Sequence, residues 1–223
     1  MAHAFFLGVD LHGETTDEAT FALLEKEKNP DDEAAQFRLD HIRHLSDVES
    51  IEGLADHLQG LVSDQPYIGR TSLIVNRGRE AGQALVQALR DRGLDPVAAT
   101  LTSGRGGAGG DSDDVGVQLG TIEVVRGLVD LYREGRFVME EHSREVASRM
   151  ARDLQHAFEV LDEAEGDEAS GEAPGSLQEV QEAAPPLTSV SLAAWLGQER
   201  SFDPSQHLKS APQTNPSRST TGS

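Results

Sequence analysis

The chain has 223 residues with 39 acidic against 19 basic side chains, a formal charge of -20, which opposes any general attraction to nucleic-acid phosphate and leaves only local or metal-assisted contact with DNA. It has no cysteine, so a disulfide framework and a thiolate metal site are both excluded, while a hydrophobic content of 37% supports one domain with appendages. No apolar run approaches the roughly 20 residues that cross a bilayer, and the start "MAHAFFLGVD" is too short in apolar residues for a secretory signal; the expectation is a cytoplasmic protein without membrane contact.

The first predicted element is a strand, "AFFLGV", residues 4 to 9, closed by Asp10. A loop rich in carboxylates and hydroxyls leads to a second strand, "ATFALLEKE", and "FRLDHIRHL", residues 37 to 45, alternates as a third. Short connections between the three predict a meander. Residues 46 to 63 carry Val48, Ile51, Leu54, Ala55, Leu58 and Leu61 at helical spacing, with Ser46 as N-cap and Glu49 three positions on. "TSLIVN", residues 71 to 76, reads as a buried strand, and "AGQALVQALRDRG" as a helix closed by Gly93. "DPVAATLTS", residues 95 to 103, completes a βαβ unit.

Residues 104 to 116, "GRGGAGGDSDDVG", read as a loop; without a following lysine they do not make a phosphate cradle. A helix is predicted over 121 to 134, a short strand in "GRFVM", and an amphipathic helix through "SREVASRMARDLQHAFEVL". The acidic stretch that follows, without Lys or Arg from 159 to 182, reads as a linker to residue 186. "LTSVSLAAWLG" is expected as a short helix within 187 to 198 that docks through Trp195, with a tail over 199 to 223. The eight histidines are scattered; His41 and His44, three apart on a strand, face opposite sides and do not share a metal.

The fold class that follows is α/β, a mixed sheet flanked by helices, and the element order is that of an RNase H-like domain. Five collinear pieces sharpen it: "GVDLHGETTDEATFALLE", "FRLDHIRHL", "TSLIVNRGREAGQALVQALRDRGLDPVAATLTSG", "VGVQLGTIEVVRGLVDLYREGRF" and "SLAAWLGQ". Together they resemble the C-terminal nuclease domain of the phage terminase large subunit, over about residues 4 to 158 with an echo at 187 to 197. The matches are Gly8, Val9 and Asp10, then Asp17, Ala19 and Thr20, the Arg43-His44-Leu45 run, and "QALRDRGL". No nucleotide-binding G-x-x-x-x-G-K-[ST] loop occurs, so the packaging motor itself is not in this chain.

The resemblance implies a two-metal centre of Mg²⁺ or Mn²⁺ held by carboxylates. Asp10 is the first candidate catalytic and metal-binding residue, Asp17 the second, with Glu80 as a further ligand; Asp111, Asp113, Asp114, Glu145 and Asp153 are the other acids from which a relocated ligand would come. Two departures count against an intact centre. Asn76 and Arg77 stand where the family places an acid after "LIV", and Ala184 and Pro185 stand near its last acids. The expected function is therefore a catalytically degenerate module of phage or prophage origin acting in DNA packaging or assembly inside the host cell. Its partners would be packaging proteins or a separate terminase ATPase chain. Two alternatives stay open: an active Mg- or Mn-dependent endonuclease using Asp10, Asp17 and a relocated acid, and an acidic protein-interaction module.

Overall fold

The structure is a computed structural model that describes residues 2–12, 18–28, 34–46, 48–102, 116–139, 144–166 and 185–200. Seven strands form one mixed sheet: β1 (Ala2–His12), β2 (Glu18–Lys28), β3 (Gln36–Leu45), β4 (Thr71–Asn76), β5 (Val97–Thr102), β6 (Gly116–Gly120) and β7 (Phe137–Met139). Their order is β6-β5-β4-β1-β2-β3-β7. β1, β2 and β3 are the expected antiparallel meander, β4 joins β1 in parallel, and β5 adds in parallel beyond it. The helices are α1 (Ile51–Ser63), α2 (Glu80–Asp91), α3 (Thr121–Arg133), α4 (Arg144–Gly166) and α5 (Pro185–Glu199). The α/β class and the anticipated element order are both present.

β1 is central and buried on both faces, which explains its nearly unbroken apolar run. Phe5, Leu7, Val9 and Leu11 pack with α1 and α2, while Ala4 and Phe6 belong to the core with α3, α4 and α5. The period of two along β1 thus assigns Asp10 and His12 to the α5 face.

Three local features differ from the sequence expectation. Helix α1 begins at Ile51, not Ser46: Ser50 is the cap, its side chain accepting a hydrogen bond from the Gly53 amide at 3.0 Å. β6 is an additional strand, "GVQLG", which runs directly into α3 with Gly120 as its cap residue; two glycines in five residues conceal its strand pattern. α4 continues to Gly166, into the stretch read as linker. The remaining linker, residues 167 to 184, the loop 103 to 115 and the tail beyond 200 lie outside the described residues.

The helix expected to dock at the end of the chain is a core element. α5 is buried nearly all round, through Leu187, Val190, Leu192, Ala193, Ala194 and Leu196, whereas Trp195 is only partly buried at the edge of that cluster. Small residues bring its backbone onto the sheet. A Cβ on Gly8 would lie 2.1 Å from the Ser189 carbonyl oxygen and 2.9 Å from the Ala193 nitrogen. A Cβ on Gly197 would lie 2.5 Å from the Phe37 ring. Lys26 closes the far end by donating to the carbonyls of Gly197 and Arg200 at 2.7 and 3.1 Å. Since Ser189 sits against Gly8 and Gly197 lies between Phe6 and Phe37, α5 runs antiparallel to β1, and its N-terminus points to the end of the sheet that carries Asp10.

One irregularity orients β3. Leu39 pairs with Leu24 and His41 with Leu23, so Asp40 is an extra residue in the ladder. Before this bulge the odd residues Phe37 and Leu39 face α5; after it the even residues Ile42 and His44 do, paired with Ala22 and Thr20. The Tyr67 hydroxyl holds the bulge by donating to the Asp40 carboxylate at 2.7 Å.

Gly8→Ala should lower stability by at least about 2 kcal/mol in a urea titration, because two backbones must separate. Gly60→Ala, in α1 with nothing within 4 Å of the added Cβ, should instead raise it by about 0.5–1 kcal/mol.

Candidate functional site around Asp10

Asp10 occupies the last part of β1, opposite Thr20 on β2 and beside the end of β4. It is 7% exposed. The Asn76 amide nitrogen donates to its Oδ1 at 2.8 Å, and the Asn76 Oδ1 accepts from the Gly78 amide at 3.1 Å. This second bond decides which way the Asn76 amide points: its oxygen is held by the turn, so its NH₂ must face Asp10. The arrangement is rigid, since a Cβ on Gly82 of α2 would meet the Asn76 carbonyl oxygen at 2.1 Å.

Burial pushes the Asp10 carboxyl up to about 6, against the pull of the Asn76 hydrogen bond and the positive charge of Arg79. Among the described residues no second carboxylate acts on it. Arg77, the other residue that stands in for an expected acid, turns away. Its backbone amide donates to the Ala99 carbonyl, its Nε to the Thr100 hydroxyl at 3.3 Å, and its guanidinium covers Gly116 on β6. The cation that reaches the Asp10 site is therefore Arg79, which the sequence reading did not single out.

The other candidates divide between those the structure places and those it does not describe. Glu80 is exposed in the first turn of α2 and makes no hydrogen bond or ion pair with Asp10. Asp153 lies in α4, where burial raises its carboxyl while Arg149, Arg152 and His156 lower it. Glu145 lies in the first turn of the same helix. Asp17, Asp111, Asp113, Asp114 and Ala184 lie outside the described residues. Pro185 opens α5 at the Asp10 end of the sheet, and a proline brings no ligand atom there.

A group absent from the sequence reading adjoins Asp10. His12 and Glu18 pair across β1 and β2, and His44 follows on β3 opposite Thr20. The His12 and His44 rings stack, centroids 5.3 Å apart at 23°. Burial first, then His44, lowers the His12 imidazole below its ordinary value, with Glu18 and the Asp10 backbone opposing the shift and Arg79 adding to it.

Mg²⁺ or Mn²⁺ in a two-metal site requires several carboxylate oxygens in place of water. Here the group facing Asp10 is an amide whose donor end is directed at the carboxylate, with Arg79 adding positive charge nearby. The described residues do not fit such a pair of ions.

Asp10 should also govern pH dependence. Its folded pKa, about 6, lies above the ordinary value of 3.8, so folding takes up a proton between the two. The associated stability is fully present below the unfolded value and is lost as pH rises through about 6. Asp10→Asn keeps the shape and cannot ionise. At about pH 7.5 it should be more stable than the parent by on the order of 1–3 kcal/mol, with the gap closing toward pH 4; paired urea titrations at the two pH values check this.

No protein-family model, no curated protein and no solved structure matches the chain, so what the site can do follows from its own atoms.

Proposed function

We propose that the chain is a terminase-nuclease-like module of phage or prophage type, of RNase H-like ancestry, that no longer cleaves DNA and serves as a binding or assembly element in DNA packaging. The observation that carries this reading is the Asp10–Asn76 contact. An acid stands at the end of the central strand, where an RNase H-like nuclease would hold metal, and its neighbour on β4 supplies a donor instead of a second carboxylate. The formal charge of -20 agrees with a role exercised through proteins more than through bare DNA. A packaging ATPase carried on a separate chain is the partner this role calls for.

Two measurements test it. In a plasmid-cleavage assay with Mg²⁺ or Mn²⁺ the full chain should leave the DNA intact; robust cutting that Asp10→Asn abolishes would overturn the proposal. Asn76→Asp should rebuild a facing carboxylate pair. It should melt below the parent in EDTA, through like-charge repulsion at a buried site, and recover at least part of the loss with Mn²⁺, while the parent's melting temperature barely moves. Equal responses to Mn²⁺ in the two proteins would remove the structural basis of the ancestry.

A further inference from the structure

We propose that His12, Glu18 and His44 form a binding site for a single transition-metal ion of the Zn²⁺ type. The inference does not depend on the reading above, since it uses other residues and another class of ion.

Three observations converge on it. First, one ligand atom from each of the three side chains lies within 4.8 Å of the others, and His12 Nε2 is 3.7 Å from Glu18 Oε2. That separation is too long for a hydrogen bond and close to the roughly 3.3 Å between two ligands of a tetrahedral ion with bonds near 2.0–2.1 Å. Second, both ring nitrogens of His12 are buried and form no well-aligned hydrogen bond with the described residues, the Asp10 backbone offering only a partial contact. Buried polar atoms are rarely left so, and an ion would engage one of them. Third, Thr20 Oγ1 lies 3.3 Å from His44 Nδ1. A hydroxyl on Nδ1 fixes the ring and leaves Nε2 for the metal, which is how outer groups commonly orient a ligating histidine.

The donor set selects the ion. Two imidazole nitrogens and one carboxylate oxygen suit Zn²⁺, Co²⁺ or Ni²⁺ and disfavour Mg²⁺ and Ca²⁺, which take oxygen. His44 and the Glu18 carboxylate are exposed and His12 is partly covered, so among the described residues nothing fills the fourth coordination position, which would hold water. Arg79 acts on His12 from the α2 side and opposes a cation there.

A second group, His3, Glu25 and Glu27, meets the same distance condition. It is already neutralised: the buried Glu25 receives Arg38 on one oxygen and lies 2.6 Å from His3 Nδ1 on the other. An ion there would have to displace a guanidinium, and none is proposed.

The test is isothermal titration of the EDTA-treated, dialysed full chain with Zn²⁺, and with Co²⁺ followed by its visible absorption. One high-affinity Zn²⁺ per chain and a tetrahedral-type Co²⁺ spectrum are expected, neither displaced by millimolar Mg²⁺. His44→Ala, at an exposed strand position, and Glu18→Gln should keep the parent's circular dichroism and lose Zn²⁺ affinity by roughly 100-fold or more. His41→Ala, on the opposite face, should leave the titration unchanged, and Arg79→Ala should tighten it several-fold. Absence of a stoichiometric site in the parent, or an unchanged titration in folded His44→Ala and Glu18→Gln, would overturn the proposal.

Discussion

The close seating of α5 on β1 organises the rest of the molecule. Two backbones meet at Gly8, and no side chain larger than hydrogen is accommodated there. The contact fixes the height of the helix above the sheet, and with it the core made by α3 and α4 on that face. It also determines where the apolar layer ends. Beyond Gly8 the same face of β1 carries Asp10 and then His12, so the polar groups begin toward the N-terminal end of α5. The site is the polar end of a sheet face whose other end is apolar and closely packed.

At that end each strand contributes a different chemistry. β1 supplies a carboxylate and an imidazole, β4 an amide locked by its own turn, β2 a hydroxyl and a carboxylate, and β3 a second imidazole. Two neighbourhoods result. The inner one is buried and closed by hydrogen bonds, with a single acid held at a raised pKa. The outer one is partly open, and among the described residues the ring nitrogens of its His12 have no side-chain hydrogen-bond partner. The contrast separates a completed arrangement from one that still has coordination to offer.

Much of this was legible in the residues. The apolar runs and the helical stripes located six of the seven described strands and all five described helices, and the resemblance, not the residues alone, pointed to Asn76 as a place where an acid is expected. What could not be read was cross-strand placement. Periodicity says which side of its own strand a residue occupies, but the side shared by two strands depends on register. Strict alternation from Phe37 places His44 opposite the α5 face; the extra residue at Asp40 reverses that. Arg77 and Arg79 raise the same difficulty. Both lie just past β4, and only their packing shows that one reaches over β5 to β6 while the other acts on Asp10.

The bulge at Asp40 behaves as a parity switch within a strand. Phe37 and Leu39 on one side of it and Ile42 and His44 on the other all reach the same face, although simple alternation would send the two pairs to opposite ones. A single inserted residue therefore recruits an imidazole from the far side of the sheet while leaving the hydrophobic half of the strand undisturbed. New chemistry can arise at such a sheet end through a change in chain length, with no substitution at the residue that performs it.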